Sequence, residues 1–76
     1  MERFEEAIDC YRKAIDIDPK NATAYYNLGI SLRKMERFEE AVDYYKKAID
    51  IDPKDATAYY NLGISLRKLE RFEEAV

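Results

Sequence analysis

Residues 1–42 and 35–76 are nearly one sequence. Aligned at an offset of 34, they differ only at Ile8/Val42, Cys10/Tyr44, Arg12/Lys46, Asn21/Asp55 and Met35/Leu69. A short unit repeated in this way cannot bury its apolar residues by itself, so each copy must stack on the next. A fixed period of this length therefore marks a solenoid rather than a closed globule.

Within 76 residues a single core supplies only a few kcal/mol of stability. The chain is 47% hydrophobic and 38% charged, with two glycines and two prolines, which excludes a disordered polymer and points to a folded, helix-rich object. No apolar run approaches the roughly 20 residues of a membrane span, and Glu2 and Arg3 do not open a signal peptide, so a cytoplasmic protein without a membrane partner is expected. A net charge of −3 offers no basic field for phosphate backbones, which argues against a nucleic-acid partner. Cys10 is the sole cysteine and faces Tyr44 in the repeat alignment. It is read as a passive, semi-buried thiol with no internal disulfide.

One unit reads as two helices. Phe38, Ala41, Val42, Tyr45, Ala48 and Ile49 recur at the spacing of a single helical stripe, with Glu39, Glu40, Asp43, Lys47 and Asp50 on the opposite side. Glu39 and Glu40 suit the positive end of the helix dipole. Tyr44 and Ile51 add a flanking apolar surface for stacking. Pro53 ends this helix, as Pro19 does one unit earlier, because proline lacks an amide hydrogen and excludes the preceding residue from the α region. Asn21 and Asp55 are expected to cap the helices that follow. In the second of these, Tyr59, Leu62, Gly63, Leu66 and Leu69 form the apolar stripe, with Gly63 small enough for a close helix approach. Thr57, Tyr60, Asn61, Ile64, Arg67 and Lys68 lie on another organised face, as Thr23, Tyr26, Asn27, Ile30, Arg33 and Lys34 do in the unit before. Each unit is thus an antiparallel helical hairpin, and the fold class is all-α, an α-solenoid.

The pattern Tyr25, Leu28-Gly29, Leu32, Ala41, Tyr45, Ala48, Pro53, resumed by Tyr59, Leu62-Gly63, Leu66 and Ala75, resembles the tetratricopeptide repeat over the entire chain. Tyr stands for the usual Trp and Leu for the usual Tyr, both still large core side chains. The resemblance implies hairpins stacked in a right-handed superhelix, and a non-catalytic scaffold that holds an extended peptide or partner helix on the inner face. Carried over, that face is Thr23, Tyr26, Asn27, Ile30, Arg33, Lys34, Thr57, Tyr60, Asn61, Ile64, Arg67 and Lys68. Tyrosine supplies rigid amphipathic contact, asparagine can bridge to a peptide backbone, and the Arg-Lys pairs can meet acidic side chains. Some relatives clamp the C-terminal carboxylate of a peptide, but Tyr26 and Ile30 stand where that clamp has Lys and Asn, so it is not expected here.

The family often carries Gly and a capping Asp between its two helices. Here the turns are Lys34-Met35-Glu36-Arg37 and Lys68-Leu69-Glu70-Arg71, all helix formers. Hairpins are expected at both, since buried stripes reward folding back. One long helix, exchanging arms with a second chain, is the alternative.

By repeat, residues 1–18 are the second helix of a truncated unit, 22–52 a whole unit, and 56–76 a first helix (56–69) plus the start of its partner. The terminal helices carry no cap and keep apolar stripes. Self-association, either head to tail or by helix exchange with residues 70–76 contesting the groove of residues 2–8, is therefore the second functional reading, that of a structural or consensus-like repeat. Catalysis is not expected. There is no His, no metal-ligand cluster, no phosphate loop and no base beside Ser31 or Ser65, so neither catalytic residues nor cofactors are assigned. Asp16 with Asp18, and Asp50 with Asp52, suggest a calcium loop only superficially, since Lys20 and Lys54 occupy the next alternate position and the glycine of the sharp turn is absent, so they read as helix-end carboxylates.

Overall fold

The computed structural model describes the backbone of residues 3–75 and the side chains of residues 3–70. Four helices follow one another: α1 (Phe4–Ile17), α2 (Ala22–Lys34), α3 (Phe38–Ile51) and α4 (Ala56–Ala75). Each packs on its neighbour in sequence. α2 also touches α4, whereas α1 and α3 stay apart. The array is therefore all-α and two layers thick, with α2 and α4 in one layer and α1 and α3 in the other.

Both prolines act as the sequence requires. After α1, Asp18 Oδ1 accepts from the Lys20 amide at 3.2 Å and the Asn21 amide donates to the Asp18 carbonyl at 3.1 Å. After α3, the Lys54 amide donates to Asp52 Oδ1 at 3.3 Å. These are Asx-type turns in which the aspartate side chain takes over backbone bonding as the helix stops. The expected caps are formed: Asn21 Oδ1 accepts from the Ala24 amide at 3.0 Å, and Asp55 Oδ1 from the Ala58 amide at 3.1 Å.

The turn between α2 and α3 folds back through a Schellman motif. The Arg37 amide donates to the Leu32 carbonyl and the Glu36 amide to the Arg33 carbonyl, both at 2.9 Å, with Glu36 in the left-handed region at φ 62°. A residue with a Cβ pays about 1–2 kcal/mol for that conformation. The Arg37 guanidinium then grips Glu40 with two bonds of 2.8 and 2.7 Å, which lowers the Glu40 carboxyl below its ordinary range and fixes the entry of α3.

The equivalent residues 68–71 do not turn. Although a hairpin is expected there, α4 runs unbroken for 20 residues through Lys68-Leu69-Glu70-Arg71. Burial decides between the two. Folding back at Glu36 covers Phe38, Ala41, Val42, Tyr45, Ala48 and Ile49, and each large apolar side chain is worth roughly 1.5–3 kcal/mol. The contest between residues 70–76 and 2–8, and the match at Ala75, fall on side chains outside the described residues.

The core is Ile8, Leu28, Leu32, Ala41 and Tyr45, joined at its edge by Tyr11, Ile15, Tyr26 and Leu62. The α3 stripe is buried throughout, as its spacing predicts. Helix α4 differs from α2 in a way its sequence does not announce. It is held by the small face Ala58, Asn61 and Ser65, while the expected stripe stays open, with Tyr59 52% and Leu66 45% exposed. The counterparts Leu28, Gly29 and Leu32 are buried because α3 lies on them. Gly29 shows how closely: a Cβ built there meets the Tyr45 ring at 2.7 Å, whereas one at Gly63 meets nothing within 4 Å. Cys10, expected to be semi-buried, is exposed.

Candidate binding face on the inner helices

The face formed by α2 and α4 is assembled by a tie between successive units. Asn61 Nδ2 donates to the Tyr26 hydroxyl at 2.8 Å and to the Thr57 carbonyl at 3.0 Å. Both amide hydrogens of Asn61 are thereby used within the chain, and the residue is only 9% exposed. Sequence spacing places Asn61 beside Tyr60 and Ile64 as a side chain free to reach a peptide. The fold instead makes it the pin that sets α4 against α2. Its counterpart Asn27 is half-buried and lacks that tie among the described residues.

Tyr26 sits over the buried Tyr45, their ring centroids 5.9 Å apart and tilted by 49°. Burial raises the Tyr26 phenol above its usual 10.0, the Asp55 carboxylate adds to the rise, and Arg33 and the Asn61 bond oppose it. Tyr45, whose side chain is fully enclosed, is raised for the same first reason and held back by the Arg33 guanidinium beside it. That contact is not a well-formed hydrogen bond, since neither Arg33 Nε nor the Tyr45 hydroxyl has a partner of good geometry. Both phenols are neutral near pH 7, and the Tyr26 hydroxyl, accepting from Asn61, keeps its own hydrogen to donate.

Of the other residues expected on this face, Thr23, Lys34, Thr57, Arg67 and Lys68 are exposed and Arg33 and Ile64 half-buried, while Ile30 leans into the core. Tyr60 stands out at 70% exposure. Arg33 and Lys68, from successive units, line one shallow depression of about 300 Å³ together with Glu36 and Phe38. The last two were not foreseen as part of the face. The left-handed turn carries them there, and glycine, the usual signal for such a turn, is missing from the sequence.

An array of antiparallel helices, each packed on its neighbour in sequence, defines the class of α-helical repeat scaffolds. One tetratricopeptide-repeat model matches residues 22–55, and two further models of the same repeat match residues 1–35 and 44–76, so that the three matches together span the chain. The chain belongs to the tetratricopeptide-repeat family. No curated protein matches it. Repeats of this family generally mediate protein–protein interaction and are generally non-catalytic. Among the described residues, no helix is long and apolar enough to cross a membrane.

Proposed function

We propose that the α2–α4 face binds an extended acidic peptide segment or partner helix, with Tyr60, Lys68 and Arg33 as principal contacts and Asn61 as the residue that positions them. The observation that carries this reading is the Tyr26–Asn61 bond of 2.8 Å, which joins two units into one surface and brings Arg33 and Lys68 to a common depression. Tyrosine is a low-entropy anchor and guanidinium or ammonium groups pair with carboxylates at a partly desolvated surface, the usual composition of an interaction hot spot. Thr23, Asn27, Lys34, Thr57, Ile64 and Arg67 form its margin. Titration with a library of acidic peptides should find ligands in the micromolar range whose affinity falls with salt. Tyr60→Ala combined with Lys68→Ala, both on the open surface, should weaken them roughly tenfold or more while leaving the helical circular dichroism unchanged. Binding untouched by that pair, or absent from the whole library, would sink the proposal.

Association between copies is a second reading, favoured by one observation of its own. The apolar stripe of α4 is uncovered, and Gly63 lies open where Gly29 is sealed by a tyrosine ring.

A further inference from the structure

We infer that the open stripe of α4 receives helix α1 of a second copy, in the register that α3 holds on α2 within one chain. The inference rests on the reading that copies associate, and it names the occupant and its orientation.

The occupant is written into the chain. Helices α1 and α3 are each 14 residues and differ only at positions 8/42, 10/44 and 12/46. On α3, which packs against both α2 and α4, Phe38, Ala41, Tyr45 and Ala48 are all buried, with the Tyr45 ring against Gly29 of α2. Their counterparts Phe4, Ala7, Tyr11 and Ala14 are only half-buried on α1. These four positions lie on the side that a first helix would cover, and Ile15 and Ile17 are likewise more exposed than Ile49 and Ile51. The same holds in mirror on α4, where Gly63 and Leu66 are exposed while Gly29 and Leu32 are buried. Two surfaces that fit each other in one place along the chain are both left open in another. No fold rearrangement is needed to join them between molecules, and the joint simply continues the α2–α3 interface.

The register follows from that template. Tyr11 of the second copy lies on Gly63, as Tyr45 lies on Gly29. Cys10 faces Tyr59, because its counterpart Tyr44 stacks on Tyr25 with ring centroids 6.2 Å apart. Antiparallel docking also brings Glu5 and Glu6, in the first turn of α1, to the end of α4 that carries Arg67 and Lys68. Opposite charges there steer the encounter and disfavour the reversed orientation. Because the patch on α4 differs from the patch on α1, the contact is heterologous and propagates head to tail instead of closing a symmetric dimer. The unbroken course of α4 past Lys68 keeps the stripe free for this purpose.

Sedimentation velocity over a wide concentration range provides the test. The native chain should show a mass that rises steadily beyond dimer. Gly63→Ala should weaken that association roughly tenfold or more, since the added methyl group meets the Tyr11 ring of the neighbour much as a Cβ at Gly29 would meet Tyr45. The monomer itself should keep its helix content. Tyr59→Cys, treated with a short bismaleimide, should form a ladder of covalent oligomers through Cys10. Growth unaffected by Gly63→Ala, or a closed dimer that does not grow, overturns the register while leaving self-association standing. A native chain that stays monomeric at every concentration overturns both.

Discussion

Leu28→Ala should cost roughly 2–5 kcal/mol, whereas Leu62→Ala, the same residue one unit later, should cost well under that at low protein concentration. Leu28 is wholly enclosed between α1, α2 and α3 in the core cluster, so deleting its side chain leaves a cavity whose walls are held by Tyr45, Leu32 and Ile8. Leu62 only edges that cluster and has an open side through which water fills the vacated space. Small proteins carry about 0.05–0.15 kcal/mol of stability per residue, so for a chain of this length the Leu28 variant approaches the limit of folding. Urea denaturation followed by circular dichroism gives both values. Equal costs would mean that the α4 stripe is covered in the isolated chain.

Gly29→Ala and Gly63→Ala should move stability in opposite directions although their local sequences are the same. In a helix interior alanine is favoured over glycine by about 0.5–1 kcal/mol. At Gly63 nothing within 4 Å opposes that gain, and the variant should be more stable by about that amount. At Gly29 the new methyl group would lie 2.7 and 2.8 Å from two carbons of the Tyr45 ring, which is buried and has no room to swing aside. Overpacking of this kind costs about 1–3 kcal/mol, more than propensity returns, so a net loss of about 1–2 kcal/mol is expected. Thermal unfolding at a concentration low enough to keep the chain monomeric resolves the sign at each site.

These two pairs show where the sequence was legible and where it was not. The stripe of α3 could be read from spacing alone because α3 is covered on both sides, and every residue assigned to it is buried. The caps at Asn21 and Asp55 and the stops at Pro19 and Pro53 were equally plain, since each rests on chemistry within a few residues. Helix α4 was not legible in the same way. Its residues 56–68 repeat those of α2 without change, so no local pattern can say that one copy is covered by a following helix and the other is open. Ala58 and Ser65, on neither of the faces assigned from spacing, form with Asn61 the buried face that seats α4, because small residues let helices approach closely. The role of Asn61 was hidden for a different reason. Periodicity placed it on the inner face, but the Tyr26 hydroxyl that binds it lies 35 positions away in the chain.

The turn at Glu36 was the hardest element to foresee. Glutamate is a strong helix former and a poor left-handed residue, so Lys-Met-Glu-Arg and Lys-Leu-Glu-Arg both lean towards helix on propensity alone. One becomes a Schellman turn because the reversal buries the six residues of the α3 stripe, and the other stays helical. The repeat thus encodes two conformations of one tetrapeptide, and tertiary burial selects between them. That selection also shapes the candidate binding surfaces. The turn delivers Glu36 and Phe38 to the depression shared with Arg33 and Lys68, and its absence at Glu70 leaves the α4 stripe open to a partner.

Backbone chemical shifts of residues 32–38 and 66–72, recorded on the dilute monomer, test this claim most directly. A left-handed signature confined to Glu36 and uninterrupted helical shifts from Leu66 through Arg71 are expected. A left-handed Glu70 with shifts that reproduce those of Glu36 would show that the second unit folds back as the first does, and would contradict it.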